Sequence, residues 1–302
     1  MPTLSVVIPT LERGALLHRT LEQVLAQSFR DLELIVVDQG GAESRAATEA
    51  FLAQRGDPRA RYVHLPVRGL PNARNEGIAR ARGEFVLFLD DDVILLDPGF
   101  LDAHLDAYAA FPDVGAVTGR IVERSVRPNT RDTASHISPG GRTMTNLWGT
   151  ERRFLESCKG ANMSYRARVL RDVGGFDRRY VGTALLEDTD YGYRVRGAGW
   201  RILFEPRAEL VHLSAPSGGV RVEDALRTEV ARFRSTAYFV HKHRGVPGLA
   251  PFAATFGAIA LARALRWRDP TVLRALAGAA AAGLRDAAAG PDEAIPAPAD
   301  PC

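Results

Sequence analysis

The sequence is poor in cysteine and in lysine. Only two of its 302 residues are cysteines, Cys158 and Cys302, and they lie far apart. This number and spacing fit neither a disulfide framework nor a cysteine-based metal cluster, so we expect a reducing compartment. Positive charge is carried almost entirely by arginine, since Lys159 and Lys242 are the only lysines. We interpret this as a compositional bias rather than as a sign of a particular partner.

Segregated charge and a recognisable export signal are also lacking. The chain has 39 Lys and Arg residues and 36 Asp and Glu residues, which leaves a formal net charge of +3. Because the two signs are interspersed rather than gathered into a basic stripe, the composition does not support nucleic-acid binding. Met1-Pro2-Thr3 leads directly into a strand-like run, without the parts of a signal peptide. We therefore expect a cytoplasmic protein.

Short apolar runs alternate with segments of helical periodicity in the first part of the chain. The runs predict strands at residues 4–8, 32–37, 62–65, 85–89 and 114–122. Helical spacing between them predicts helices at residues 17–25, 43–54, 72–82 and 98–111. Strands that alternate with helices in short succession form a mostly parallel sheet with right-handed crossovers. The sequence therefore predicts an α/β, Rossmann-like fold with helices on both faces of the sheet.

The loop after the first predicted strand lacks the glycines that nucleotide-binding loops need. It reads Pro9-Thr10-Leu11-Glu12-Arg13-Gly14, with a single glycine. A dinucleotide-binding turn requires a glycine-rich fingerprint, and a P-loop requires glycine, lysine and Ser or Thr in succession. The sequence therefore argues against both classes. If the fold binds a nucleotide, the phosphates have to be neutralised in another way.

Three adjacent carboxylates, Asp90-Asp91-Asp92, follow the apolar run at residues 85–89. Ligands of open α/β sheets bind at the carboxyl ends of the strands. Adjacent carboxylates repel one another unless a cation or solvent relieves the repulsion. One interpretation is a divalent-metal site for a phosphorylated ligand. The alternative is a solvated acidic turn that stabilises the start of the helix at residues 98–111.

The pattern changes after the fifth predicted strand. Residues 124–156 are polar and show no sustained period. This indicates a long loop, which either closes over a substrate or is an ordinary surface excursion. Further on, Glu187-Asp188 opens a predicted helix, and two strands are predicted at residues 200–204 and 209–213, the second with His212.

A helical extension is predicted at the C-terminus. An amphipathic helix covers residues 222–243, and an alanine-rich helix covers residues 271–288. Between them, residues 249–265 are nearly uncharged, but a proline, a glycine and an arginine interrupt them. A full membrane span needs about 20 unbroken apolar residues, so a packed pair of terminal helices is the preferred explanation. A peripheral membrane contact through residues 249–289 is the alternative.

Several fragments occur in the order found in family 2 glycosyltransferases with the GT-A fold. They are Val6-Val7-Ile8-Pro9-Thr10, Val36-Val37-Asp38, Ala73-Arg74-Asn75-Glu76-Gly77, Phe88-Leu89-Asp90-Asp91-Asp92, Gly175-Phe176-Asp177 and Glu187-Asp188. Their order and spacing together are specific, and the resemblance extends from about Leu4 to His243. It implies a mixed, mostly parallel sheet and the inverting transfer of a sugar from a nucleotide-diphosphate donor.

The resemblance also implies a division of the chain. A GT-A domain would cover residues 1–220, with a nucleotide-binding half at 1–122 and an acceptor-binding half at 123–220. Helices would follow at 221–289. The proline-rich segment 290–302 is expected to be a disordered tail.

The resemblance assigns a role to each matching residue. Donor-binding residues would be Pro9, Thr10, Glu12, Asp38, Arg74, Asp90, Asp91 and Gly160. Asp92 would ligate the metal directly, and His212 would complete the metal or pyrophosphate site. Mn²⁺ or Mg²⁺ suits such ligands. The family often has Asn in place of Glu12 and a second acid in place of Gln39, so the identity of the base stays open.

Glu187 and Asp188 are the implied catalytic residues. Adjacent residues on a helix point about 100° apart, so only one of them can act as the base. The resemblance favours Asp188 as the base, with Glu187 steering the acceptor or supporting the loop. Both acids could instead stabilise a helix N-terminus. In the same way, Asp38 could start a turn, Arg74 could be an exposed arginine, and His212 could be a core histidine.

The predicted function is sugar transfer to the hydroxyl of a saccharide, a lipid-linked saccharide or a small molecule. Cell-surface polysaccharide or glycoconjugate synthesis at the inner face of the membrane is the expected setting. One alternative is a non-catalytic nucleotide-sugar-binding protein, in which Asp188 would face away from the cleft. Another is a metal-dependent nucleotidyltransferase, although the basic glycine-rich loop of that class is missing. The donor sugar, the acceptor and the oligomeric state stay open.

Overall fold

The structure, a computed structural model, describes residues 1–123, 133–215, 218–219 and 224–297. Its strands are β1 (Leu4–Thr10), β2 (Leu32–Asp38), β3 (Ala60–His64), β4 (Phe85–Leu89), β5 (Val93–Leu95), β6 (Val114–Glu123), β7 (Ala134–Ile137), β8 (Thr143–Asn146), β9 (Arg153–Leu155), β10 (Asn162–Arg166) and β11 (Arg201–His212). Its α-helices are α1 (Ala15–Leu25), α2 (Ala42–Arg55), α3 (Leu70–Arg80), α4 (Phe100–Ala110), α5 (Ala167–Val173), α6 (Glu187–Gly197), α7 (Ala225–Arg244), α8 (Leu249–Trp267) and α9 (Thr271–Ala288).

The main sheet has the order β3-β2-β1-β4-β10-β6-β11-β5, with β9 beside β11. The strands β1 to β4, β6 and β11 run in one direction, and β5, β9 and β10 run against them. Alternate residues of β1 enter different cores, since Val6 and Ile8 belong to one apolar cluster and Val7 to another. The two clusters lie on opposite faces because strand side chains alternate. This is the mixed, mostly parallel sheet that the sequence predicts.

Two strand predictions need correction at the edge of the sheet formed by β11 and β5. The strands predicted at residues 200–204 and 209–213 are one strand, β11, whose pairing with β6 shifts between Glu205 and Glu209. This irregularity interrupts the apolar pattern and makes one strand resemble two. The sequence pattern also misses β5, because three residues directly after an acidic triplet are too short for a recognisable run.

The predicted loop at residues 124–156 contains three short strands. β7 and β8 pair with each other in a separate two-stranded sheet, and β9 pairs with β11. The first three residues of β8 are exposed, and β9 has one buried residue, so neither produces an apolar run. The prediction of a structureless loop is therefore wrong for these strands. Its residues 124–132 lie outside the described residues.

The predicted C-terminal helical extension is present in the structure. α7, α8 and α9 share an apolar cluster that includes Phe233, Phe256 and Leu276. α9 approaches α7 closely at Gly283, where a Cβ atom would lie 2.1 Å from the carbonyl oxygen of Arg234. Residues 220–223, which include the predicted start of the amphipathic helix, are not among the described residues.

The outer side of α8 is exposed and apolar. Within the described ranges, one stretch, Val246–Trp267, is long and apolar enough to cross a membrane. Only 28% of its most apolar window is buried in the structure. Its outer side exposes Leu261 by 53% and Leu265 by 69%. The packed helix pair therefore covers one side of α8 only.

Residues 290–293 differ from the predicted disordered tail. The backbone N–H of Gly175 donates to the carbonyl oxygen of Glu293 at 2.7 Å, and the N–H of Arg178 donates to that of Asp292 at 2.9 Å. The guanidinium of Arg178 also lies 2.6 Å from the carboxylate of Asp292. Composition misses this order because it comes from contacts distant in sequence. The end of the predicted tail, residues 298–302, lies outside the described residues.

A buried histidine joins α4 to β10. His104 is fully buried, with Nδ1 2.9 Å from the hydroxyl of Ser164 and Nε2 2.9 Å from Oδ1 of Asn162. Burial disfavours the charged imidazolium and lowers the pKa of His104 to about 4. The folded protein therefore keeps this ring neutral at a pH at which the unfolded chain already protonates it.

We predict that His104 makes stability dependent on pH. Because its pKa is lower in the folded than in the unfolded protein, stability is lost as the pH falls from about 6.5 toward about 4. Between pH 7 and pH 5 this one group should remove about 2 kcal/mol of unfolding free energy. Urea unfolding at both pH values should show that His104→Gln removes this part of the pH dependence. Equal pH dependence of the two proteins would contradict the prediction.

Candidate active site

The three carboxylates after β4 lie where β1 and β11 also end. Thr10, the last residue of β1, donates a hydrogen bond to Oδ2 of Asp91 at 2.7 Å. His212, the last residue of β11, reaches the site because β11 pairs with β5, which follows the triplet directly. Asp91 and Asp92 are buried, and the Asp90 side chain is 31% exposed. The triplet is therefore partly enclosed and is not a solvated acidic turn.

Asp90, Asp92 and His212 each bring one ligand atom to within 4.8 Å of the others. Nε2 of His212 lies 3.2 Å from Oδ1 of Asp92 and 3.4 Å from Oδ2 of Asp90. Oδ2 of Asp92 accepts a hydrogen bond from the N–H of Ala215 at 2.8 Å, which orients the carboxylate. Carboxylate oxygens with one imidazole suit Mn²⁺ or Mg²⁺, whereas zinc sites usually have thiolates or more histidines. The residues present therefore fit such a divalent cation.

The carboxylates of the triplet differ in acidity. Burial raises the pKa of Asp91 to about 7, against the opposing charge of Arg13. Burial also acts to raise the pKa of Asp92, but the hydrogen bond and charge of His212 outweigh it and lower that pKa to about 2. For His212, burial acts to lower the pKa, and the carboxylates of Asp90 and Asp92 raise it to about 10. Positive charge is therefore strongly favoured between Asp90 and Asp92.

Arg13 is a site residue that the sequence pattern does not single out. Its Nε lies 3.2 Å from Oδ1 of Asp91, and its Nη1 lies 3.6 Å from Oδ2 of Asp92. The side chain is 5% exposed, so the ion pair is shielded from water. The available signal is its position in the loop after β1, because loops at the carboxyl ends of neighbouring parallel strands meet. Arg13 offsets part of the negative charge of the triplet.

Arg74 links the triplet to the predicted catalytic acids. Its guanidinium is buried and forms an ion pair through Nη1 with Oε1 of Glu187, while Nη2 lies 3.8 Å from Oδ1 of Asp90. It also lies over the ring of Phe176, 5.3 Å from the centroid. Arg74 is therefore not the exposed surface arginine of the alternative interpretation. Its hydrogen-bonded partner is Glu187, and a role in donor binding stays a prediction.

Asp188 has different partners from Glu187. Its Oδ2 accepts a hydrogen bond from the N–H of Gly160 at 2.9 Å, and its Oδ1 accepts one from the N–H of Thr189 at 2.7 Å. The ammonium of Lys159 lies 3.5 Å from Oδ2. Burial acts to raise the pKa of Asp188, but the charge of Lys159 and the hydrogen bond from Gly160 lower it on balance. Asp188 is therefore ionised at neutral pH and able to accept a proton.

Two adjoining cavities share walls formed by Leu70, Asp90 and His212. The smaller, of about 100 Å³, is also lined by Pro9, Thr10, Leu11, Arg13, Gln39, Asp91, Asp92 and Gly219. The larger, of about 260 Å³, is also lined by Arg74, Ile121, Glu123, Lys159, Gly160, Ala161, the segment Thr183 to Leu186, Glu187 and Asp188. Asp188 thus shares a cavity with Asp90 and His212, and Asp92 faces the adjoining one.

A surface cavity of about 720 Å³ around Arg82 and Arg171 lies beside Gly83 and Glu84, before the start of β4. It is therefore separate from the two cavities at the carboxyl end of that strand.

Asp38 is not brought to these cavities in the described part of the chain. It is fully buried, and its carboxylate accepts hydrogen bonds from the N–H of Gly40 at 2.7 Å and from the hydroxyl of Tyr62 at 3.0 Å. These contacts match the interpretation of Asp38 as the start of a turn. Its neighbour Gln39 lines the smaller cavity instead. A contact between Asp38 and a nucleobase stays a prediction.

Glu12 and Gly160 occupy positions with specific steric demands. Glu12 has a φ of 55°, in the left-handed region, and its carboxylate accepts a hydrogen bond from the N–H of Gly41 at 2.7 Å. Asn adopts this backbone more readily than Glu, which is consistent with the Asn that the family resemblance implies at this position. A Cβ atom on Gly160 would lie 2.5 Å from Nη2 of Arg74. Gly160 therefore allows the buried guanidinium to approach the backbone.

Comparison with known proteins decides the family. Residues 5–174 match the model described as glycosyl transferase family 2. The chain belongs to this family. The O-antigen biosynthesis protein RfbC of Myxococcus xanthus is 29% identical over 230 residues, which are 72% of this chain but 18% of that protein. The N-acetylglucosaminyl-diphospho-decaprenol L-rhamnosyltransferase of Mycobacterium tuberculosis is 29% identical over 280 residues, which cover 80% of this chain and 85% of that protein.

Solved structures show the same architecture. The mannosyltransferase PcManGT from Pyrobaculum calidifontis, in complex with GDP-Man and Mn²⁺, aligns over 96% of this chain and 76% of its own. The TM-score is 0.59 at 20% sequence identity, so the likeness concerns the fold alone. The predicted family and the predicted GT-A fold are confirmed. This family 2 glycosyltransferase carries its acidic triplet and His212 at the carboxyl edge of the GT-A sheet.

We predict that Asp92→Ala weakens Mn²⁺ binding by about 100-fold or more, because it removes one of the carboxylates that would hold the cation. Calorimetric titration of Mn²⁺, with and without GDP or UDP, measures the loss directly. Asp106→Ala is the matched control, since Asp106 is an exposed acid that pairs with Arg207 on the surface. If Asp92→Ala binds Mn²⁺ like the wild type in both conditions, the assignment of this site is incorrect.

Proposed function

We propose that this protein transfers a sugar from a nucleotide-diphosphate donor to an acceptor hydroxyl with inversion, in the synthesis of cell-surface polysaccharide or glycoconjugate. The observation that carries the proposal is the larger cavity, in which Asp90 and His212 face the same space as Asp188. Inverting transfer requires stabilisation of the leaving group and a base on opposite sides of the anomeric carbon. Membership of family 2 supports the same reaction.

The triplet side of the site would serve the leaving group. Asp90, Asp92 and His212 would hold Mn²⁺ or Mg²⁺, and such a cation stabilises the negative charge that grows on a departing diphosphate. Thr10 holds Asp91 by its hydrogen bond. Arg13 keeps positive charge at the smaller cavity. These residues together favour a ligand that carries phosphate charge.

Asp188 would act on the acceptor. Its ionised carboxylate lines the larger cavity, where it would take the proton from the attacking hydroxyl. Glu187 is less suited to this task, because its carboxylate pairs with the buried guanidinium of Arg74. We assign to Glu187 and Arg74 the positioning of the first turn of α6. The ammonium of Lys159 keeps Asp188 ionised before the proton is transferred.

We predict that Asp188→Asn lowers the turnover number by about 10²- to 10⁴-fold, the usual contribution of a general base. Donor affinity should stay nearly unchanged, because the substitution keeps the size of the side chain. Steady-state assays with a panel of acceptors measure the first effect, and calorimetry with the nucleotide sugar in the presence of Mn²⁺ measures the second. Near-normal turnover of the variant would rule out Asp188 as the base.

We further propose that the acceptor is lipid-linked and that α8 contacts the inner face of the membrane. A lipid-diphosphate acceptor is named for the M. tuberculosis relative. The outer side of α8 exposes small apolar residues together with Leu261 and Leu265. Between residues 246 and 285 the chain has five arginines and one acid, Asp269. An apolar face next to positive charge is suited to an anionic bilayer surface.

We predict that the double variant Leu261→Asp/Leu265→Asp loses binding to vesicles that contain phosphatidylglycerol. Burial of two leucines contributes about 3 kcal/mol or more, so the partition constant should fall by at least about 100-fold. Co-sedimentation measures it. Leu96→Asp is the matched control, because Leu96 is a 64% exposed leucine far from α8 in sequence. Unchanged binding of the double variant, or an equal loss in the control, would contradict the contact.

A further inference from the structure

The segment after α9 is attached to the loop that precedes α6. Residues 290–293 are here called the C-terminal strap. Besides the backbone hydrogen bonds from Gly175 and Arg178, the strap donates one from the N–H of Asp292 to Oδ1 of Asp177 at 3.0 Å. The strap therefore follows the loop over several residues and does not touch it at one point only.

Lys242 of α7 joins the strap to α6. Its ammonium lies 2.7 Å from Oδ2 of Asp177, 2.8 Å from Oδ1 of Asp190 and 2.7 Å from Oε1 of Glu293. The three carboxylates are close enough to hold a cation, and the ammonium of Lys242 takes that position. The side chain of Lys242 is 12% exposed. One largely buried positive charge thus holds together α6, the loop before it and the strap.

Asp190 lies in the first turn of α6, two residues after Asp188. It is fully buried, and its carboxylate also lies 2.7 Å from Nε2 of His243 and 3.0 Å from Nε of Arg194. A buried carboxylate that loses a partner is strongly destabilised. Because Lys242 and His243 both belong to α7, the charge of Asp190 fixes the first turn of α6 relative to the C-terminal helices.

The residue directly before Glu187 is held by the same helices. Leu186 has a φ of 73° and Ala184 has a φ of 50°, both in the left-handed region. Non-glycine residues keep this backbone only where the surroundings determine it strongly. The side chain of Leu186 is buried in the apolar cluster formed with Phe233 and Tyr238 of α7. The strained turn that presents Glu187 therefore depends on packing against α7.

We propose that the C-terminal helices and the strap are a positioning element of the active site, with Lys242 and Glu293 as positioning residues for Asp188. This inference rests on the proposed function, in which Asp188 is the base. Neither Lys242 nor Glu293 lines the two cavities of the site in the described part of the chain. They act through Asp190 and the turn at Leu186, which set the direction of the first turn of α6.

A purely stabilising role would give a different result, and the chain offers a matched comparison. Glu293 and Asp286 are both partly buried acids of the C-terminal region, 24% and 18% exposed in their side chains. Asp286 pairs with Arg234 of α7 at 2.8 Å, within the C-terminal helices. Removal of Asp286 weakens the attachment of α9 to α7, whereas removal of Glu293 also weakens the contact with α6.

The experiment compares Glu293→Ala with Asp286→Ala. In Glu293→Ala we expect the turnover number to fall by about 10- to 100-fold, because small displacements of a catalytic group have effects of this size. The KM for the nucleotide sugar should not change, since the cation site and the smaller cavity are untouched. In Asp286→Ala both the turnover number and the KM should stay close to wild type. The melting temperature should fall in this variant as well as in Glu293→Ala.

Hydrogen exchange gives a readout that does not depend on activity. The N–H of Asp190 donates to the carbonyl oxygen of Leu186 at 2.8 Å. Amides of the first turn of α6 should exchange faster in Glu293→Ala but not in Asp286→Ala. Equal exchange and equal turnover in the two variants would overturn the proposal. If the wild type transfers no sugar, the proposed function fails, and the exchange data alone still decide whether the strap orders α6.

Discussion

Compensation of negative charge at the end of β4 is the constraint on which the site depends. Two of the three carboxylates there are buried, and a buried carboxylate without a positive partner destabilises a protein by several kcal/mol. The positive groups come from three separate elements. Arg13 comes from the loop after β1, Arg74 from α3 and His212 from the end of β11. The short strand β5 matters for this reason, because its pairing with β11 brings His212 beside the triplet.

The sequence predicts the parts of the site that depend on local pattern. A short buried run followed by acids identifies β4 and its carboxyl end, and the order of the fragments identifies the family. The residues that pair with these acids are harder to predict from the sequence, because they depend on which strands and loops become neighbours in the fold. Arg13 resembles any loop arginine until the order of strands β1 and β4 is known. Residues 290–293 resemble a disordered tail by composition, and their order comes from a loop more than a hundred residues earlier in the chain.

Helix geometry alone predicts only part of the roles of Glu187 and Asp188. Neighbouring helical residues point about 100° apart, which predicts different roles but does not say which acid has which role. The structure separates them by their partners. The carboxylate of Glu187 pairs with the buried guanidinium of Arg74, which stays protonated although burial lowers its pKa. Asp188 meets an ammonium and two backbone N–H groups at the wall of a cavity. An acid paired with a buried guanidinium and an acid held by an ammonium and two backbone N–H groups are suited to different tasks.

The two sides of the site are also held by different means. The triplet follows a fully buried strand in the middle of the sheet, so its position is set by backbone hydrogen bonds and by apolar packing on both faces. Asp188 follows a turn with left-handed backbone at Ala184 and Leu186, and that turn is supported by helices from the far end of the chain. The sheet side therefore depends on contacts within the core of the fold. The α6 side depends on the contacts that the C-terminal helices and the strap make with α6 and the turn before it, so a change in those contacts alters the surroundings of Asp188 while the acidic triplet keeps its geometry.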